Sequence, residues 1–322
     1  MSESQKSPHL KFGILLPTRE VILSGRPDPA SIYELCDRVE ALGFHSVWVG
    51  DSLTAKPRLE ALITLAAVGA RTRRIRLGTA VFLAALRHPI LLAYSVGSLD
   101  WITGGRVDLG IGYSRPNDPV QEHEFKILGL AASKRIKISE ELVQIVRRLW
   151  NENDVSHEGA FFKFEHVTLE PKPVQSGGVP IWLASNNIEP GLRRVARMAN
   201  GWLNNITDPQ TYRECLEKIR AYAAEAGRDP EAIEPGLYFT LAAGGKEAML
   251  EGQNFLSRYY NKPHEAVAKA MLCVMGSWEE VAGQIEAYGE AGARTIILRF
   301  AARDQIGHLE SCAEFLNRRG LL

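Results

Sequence analysis

Short apolar runs rich in β-branched residues alternate along the whole chain with longer amphipathic stretches. Eight runs read as strands: Lys11–Leu16, Ser46–Val49, Ile75–Val81, Val107–Ile111, Pro180–Ala184, Gly201–Asn204, Leu237–Leu241 and Thr295–Phe300. Each is followed by residues with helical spacing of apolar positions. In the first helix these are Ile32, Leu35, Cys36, Val39 and Leu42, with Ser31 as the expected N-cap, Glu34 in capping-box position and Gly43 as the stop. Further helices are expected over Arg58–Arg71, His88–Trp101, Ser133–Trp150, Gly191–Met198, 208–226, a region reaching about 272, Trp278–Glu290 and Gln305–Arg318. Short buried strands separated by long helices predict a parallel sheet, and eight units are the number that closes a (β/α)8 TIM barrel. The alternative, an open doubly wound sheet with a dinucleotide site, lacks a GxGxxG after the first strand.

The rhythm breaks once. Residues 151–178 are polar, then β-like at Phe161–Phe164 and His166–Leu169, then rich in Pro and Gly, which predicts an inserted hairpin or lid. The chain, 1–322, is read as one barrel domain.

Composition narrows the function. Lys+Arg and Asp+Glu are equal at 38 each, so no basic excess favours nucleic acid or an anionic membrane. No apolar run approaches a membrane span, and the N-terminal residues lack the apolar core of a signal peptide. A cytoplasmic location is expected. Cys36, Cys215, Cys273 and Cys312 form no CxxC clip and read as free thiols. His157 and His166 lack metal-ligand spacing, and no metal site is expected. No Ser/His/Asp or Cys/His constellation points to a covalent nucleophile.

Four motifs stand in order: Leu42–Ser52 (LGFHSVWVGDS), Arg73–Val81 with His88-Pro89, Leu99–Gly112 (LDWITGGRVDLGIG), and Pro171–Gln175 with Pro180–Trp182, Arg193–Ala196 and Asn200–Trp202. Together they resemble the bacterial luciferase-like monooxygenase family, which includes FMN-dependent monooxygenases and reductases using the deazaflavin coenzyme F420. The resemblance covers about residues 10–318. It implies a barrel with the cofactor ring over the C-terminal strand ends and a non-proline cis peptide under the ring, here at Ala80-Val81.

The small residues Gly78, Thr79 and Ala80 suit a strand end approached by a flat ring, or simply a crowded barrel interior. The implied ring contacts are Thr79, Ala80 and Val81. The implied phosphate contacts are Tyr113, Ser114 and Arg115, and Ser185, Asn186 and Asn187; Ser185 or Asn186 serves equally well as a helix cap. Asp51, at the end of the second strand, is the candidate catalytic residue, able to bond a ring edge, a substrate or a backbone amide. Ser52 stands where relatives carry a proton-donating His. His88 reads as a helix-start residue, Trp48 and Trp182 as packing, and Arg299 as a charge near the site.

The resemblance implies a monooxygenase that uses reduced FMN and O2 on a small organic substrate, with a separate flavin reductase as partner. The alternatives are F420-dependent hydride transfer and a non-catalytic flavin-binding protein. The resemblance implies a homodimer through the second and third helices, where Leu62, Leu65, Leu91, Leu92 and Val96 are apolar and would serve equally by facing the barrel.

Overall fold

A computed structural model describes residues 10–25, 28–115 and 118–322. The N-terminal segment 1–9, read above, lies outside the described residues. The strands are β1 (Lys11–Leu15), β2 (Ser46–Val49), β3 (Arg76–Thr79), β4 (Val107–Ile111), β5 (Val155–Glu158), β6 (Lys163–Val167), β7 (Ile181–Ala184), β8 (Gly201–Leu203), β9 (Glu234–Ala243), β10 (Cys273–Gly276) and β11 (Thr295–Phe300). The sheet order is β10-β9-β11-β1-β2-β3-β4-β7-β8, and β8 also pairs with β9. Eight strands therefore close on themselves, and helices connect them in a (β/α)8 barrel. All eight are among the runs expected from the sequence.

The paired barrel strands run parallel, with Gly13 opposite Ser46 and Lys11 opposite Thr295. They are almost wholly buried, as in β2 and β11, because parallel strands are covered on both faces. Several helix starts carry side-chain caps. Asp118, Asp208 and Asp304 cap the helices that begin at Pro119, Pro209 and Gln305, and Ser277 and Glu280 form a full capping box. Ser31 is not a cap: the helix Ala30–Ala41 starts one residue earlier, and the Asp28 carboxylate accepts from Ala30 N at 2.9 Å. Asp outcompetes Ser here because it stands two residues before the first helical amide.

Two strand-forming segments depart from the expected pattern. The insertion is a hairpin, but its strands are β5 and β6, not 161–164 and 166–169. The turn 159–162 between them is held by Glu141, which accepts from Ala160, Phe161 and Phe162 N and lies 3.1 Å from His157 Nε2. These bonds hold the Glu141 carboxyl below its ordinary range, although burial alone pushes it up. The second departure is β10, an extra strand beside β9, after the helices Lys246–Tyr260 and His264–Ala270.

By its contacts the chain divides into two units. The first comprises Met1–Leu16, Glu34–Trp48 and Trp182–Leu322; the second comprises Pro17–Tyr33 and Val49–Ile181. In the first, Trp48 and Trp182 are buried and meet edge to face at 5.4 Å, the packing role expected of them.

In the second unit the family-like motifs form structural knots. Buried Asp100 accepts from Val174 N, Gln175 N and Gln175 Nε2. Arg76 forks onto Asp108 at 2.6 and 2.9 Å, and Arg106 donates to carbonyls at the end of the helix Ala61–Arg71, including Gly69 and Thr72. Among the described residues no helix is long and apolar enough to cross a membrane, and no group of three or more His, Cys, Asp and Glu could hold a metal ion.

Candidate active site at the strand ends

In the second unit, the ends of β2, β3 and β4 are stitched together by side chains at or just past the ends of β2 and β3. The Thr79 hydroxyl both donates to Gly110 O and accepts from Gly110 N, each at 2.9 Å, so it joins β3 to β4. Beyond it, Ala80 N donates to Val49 O and Phe82 N to Gly110 O. The Ala80-Val81 bond between them is cis, as the sequence reading anticipated. Both residues are half-buried.

Val81 explains a glycine. A Cβ on Gly112 would run into Val81 Cγ2 and lie 2.9 Å from Val81 Cβ. Only glycine lets the end of β4 pass beneath the Val81 side chain.

Asp51 is committed to this same turn. Its backbone N donates to Val81 O at 3.2 Å, and its carboxylate accepts from Leu83 N at 3.0 Å and from Arg87 Nη2 at 2.9 Å. The Asp51 side chain is almost completely buried. Arg87 also stacks over the Phe82 ring, 4.5 Å from its centroid. Of the three uses that sequence reasoning left open for Asp51, the structure shows the backbone amide.

Ser52 is committed as well. Its hydroxyl donates to Glu124 Oε1 at 2.9 Å and accepts from Lys56 N at 2.9 Å. Glu124, from the helix Pro119–Ile127, is wholly buried and was missed in the sequence, where nothing separates it from neighbouring solvated carboxylates. His88 is the N-cap of the helix Pro89–Thr103, as expected.

The loop after β4 presents donors. Ser114 has a left-handed backbone at φ 59°, rare for a residue with a side chain, and its buried Oγ meets no hydrogen-bond partner. Arg115 is exposed, its N donating to Gln121 Oε1; Tyr113 is half-buried. At the start of the helix Arg135–Asn151, Arg135 Nη1 donates to Ala132 O, while its buried Nε meets no partner. A buried polar atom without a partner is costly and rare in a finished interior. Ser114 Oγ and Arg135 Nε thus suit a bound polar or anionic group.

In the first unit, the Ser185 hydroxyl donates to Asn186 O. Asn186 and Asn205 exchange bonds at 2.8 and 3.1 Å. Asn187 is exposed. None of the three supplies a side-chain cap to the helix Glu189–Met198. On β11, buried Arg299 donates to Tyr260 Oη at 2.9 Å and stacks on Tyr259 at 4.0 Å. Burial pushes the nearby Cys273 thiol up to about 11, against the pull of Arg299 and of a Thr240 hydrogen bond.

A family model for luciferase-like monooxygenases matches residues 10–295, and the chain belongs to that family. The crystal structure of monooxygenase RslO1 from Streptomyces bottropensis superimposes with a TM-score of 0.76 at 26% identity, covering 96% of this chain and 97% of that one. An F420-dependent secondary alcohol dehydrogenase, in complex with an F420-acetone adduct, superimposes with a TM-score of 0.79 over 97% of this chain and 99% of that one. At 18% identity it shows the fold alone. The oxygenase component of the flavin-dependent trigonelline monooxygenase of Acinetobacter baylyi is 29% identical over 236 residues, 71% of this chain and 63% of that protein. The chain spans 58% of the length of the mycobacterial relatives it matches at 33% identity.

Proposed function

We propose that this member of the luciferase-like monooxygenase family is the oxygenase of a two-component system, acting with reduced FMN and O2 on a small organic substrate. The observation that carries the reading is the buried, unpartnered Ser114 Oγ in the loop after β4, in a chain matched to that family over residues 10–295. The similarity to an oxygenase component supports a separate flavin reductase as the source of reduced flavin.

In this reading the half-buried Ala80 and Val81 flank the ring, and Thr79 holds the strand end that carries them. Tyr113, Ser114, Arg115 and Arg135 hold the polar tail, Arg135 by charge. Ser185, Asn186 and Asn187, the other contacts that the resemblance implies, belong to the first unit. When bound, reduced FMN supplies the electrons that activate O2; the chain supplies binding, orientation and exclusion of water. Asp51 acts as a positioning residue, fixing the Val81–Leu83 turn.

F420-dependent hydride transfer is the second reading, because the family that the four motifs resemble includes reductases that use F420. Against it, Ser52, at the position of the proton-donating His, is spent on Glu124 and Lys56 N.

A homodimer is also proposed, with a revised surface. Leu65, Leu92 and Val96 are buried in the core and Leu62 is half-buried, so of the five positions named from the sequence only Leu91 is exposed. The apolar face is instead Ile63, Leu91, Tyr94, Trp101 and Ile102.

Anaerobic titration with photoreduced FMN, and in parallel with F420, tests the cofactor. Saturable micromolar binding of reduced FMN is expected. Binding of F420 alone would sink the oxygenase reading.

A further inference from the structure

Glu124 has no part in the reading above, yet it is a costly side chain to bury near the strand ends. It is wholly buried, and its neighbour Phe125 belongs to an apolar cluster with Leu83, Ala85, Leu86 and Ile138. Its Oε1 accepts from three donors on one turn: Ser52 Oγ at 2.9 Å, Thr54 N at 2.6 Å and Ala55 N at 3.0 Å. Its Oε2 is equally buried and meets no partner. A half-satisfied buried carboxyl is a poor device for stability alone, since an apolar side chain costs less to bury. Its effect is geometric: it fixes the 52–55 turn against the helix Pro119–Ile127.

We infer that Glu124 is a positioning residue for the cofactor-facing strand ends, acting through Ser52 and its neighbour Asp51. The path is continuous. Glu124 holds Ser52; Asp51, next in the chain, holds Val81 O, Leu83 N and Arg87. The loops after β2, β3 and β4 are thereby tied to one buried carboxyl. The inference rests on the reading of these strand ends as the flavin site.

The test uses the full chain with Glu124→Gln, Glu124→Ala and Ser52→Ala. It reads FMN affinity, the induced circular dichroism of bound FMN, and the thermal midpoint. Gln retains an oxygen for the three donors, so affinity should stay within about threefold of wild type. Ala at 124 severs the tie, and Ser52→Ala cuts only the link through Ser52. Loss of one such hydrogen bond predicts affinity weaker by about tenfold, with a reduced dichroic band. Ser52→Ala leaves Glu124 its two backbone donors, so that variant folds and keeps the test open if Glu124→Ala does not. Ser52→Ala protein with wild-type affinity and an unchanged band overturns the inference. So does a Glu124→Gln variant that loses as much affinity as Glu124→Ala. Wild-type protein that binds neither FMN nor F420 overturns the functional reading and this inference with it.

Discussion

The Val81–Gly112 contact offers a sharp test of how the strand ends are built. In Gly112→Ala, the new Cβ meets Val81 Cγ2 and sits 2.9 Å from Val81 Cβ, closer than real Cβ atoms approach. Overpacking of this kind costs about 1–3 kcal/mol. Val81→Ala removes two methyl groups from a half-buried position, a loss of about 1 kcal/mol at roughly 0.8 kcal/mol per fully buried group. If the clash is the mechanism, the double variant escapes most of it, because both γ carbons are gone. The Cβ contact remains, so relief is incomplete. The cycle should then show a favourable coupling of about 1 kcal/mol or more. Urea denaturation of the four proteins measures it. The same cycle read by FMN titration should show Gly112→Ala weakened and the double variant partly restored. Additivity within about 0.5 kcal/mol would refute the account, since the two residues would not share the space the structure gives them.

Two further predictions concern other surfaces. With its thiol near 11, Cys273 is almost wholly protonated at pH 8. Iodoacetamide should label it at least about 100-fold more slowly than a free cysteine, with the rate rising about tenfold per pH unit up to pH 10; a plateau by pH 9 would show an ordinary thiol. Ile102 is 66% exposed on the apolar face of the helix Pro89–Thr103, and Ile102→Asp should convert a sedimenting dimer to monomer without lowering the thermal midpoint. A wild-type chain that sediments as a monomer contradicts the proposed homodimer.

The barrel was legible in the sequence because each of its eight strands is a short apolar run bounded by turn residues, and burial of both strand faces imposes that pattern. The hairpin was legible as an interruption but not in register. Its turn is set by Glu141, a helix residue about 20 positions upstream whose partners are backbone amides. β10 was hidden because Cys273–Gly276 is short and only partly buried at the edge of the sheet. Ser31 looked like a cap until Asp28 took the role.

At the site, the cis Ala80-Val81 bond followed from the resemblance, whereas the bonds that Thr79 makes to Gly110 did not. Asp51 could be placed at the end of the second strand, but its partners Leu83 N and Arg87 depend on how the loop after β3 folds back. Glu124 and Arg135 were invisible for a similar reason. A carboxylate and a guanidinium among many charged helix residues gain meaning only when burial singles them out.

The central claim is that reduced FMN binds at the ends of β3 and β4. Hydrogen–deuterium exchange with and without photoreduced FMN tests it most directly. The account predicts slowed exchange in peptides covering Thr79–Leu83 and Gly112–Arg115. Saturating FMN that leaves both segments unprotected, with protection confined elsewhere, would contradict it.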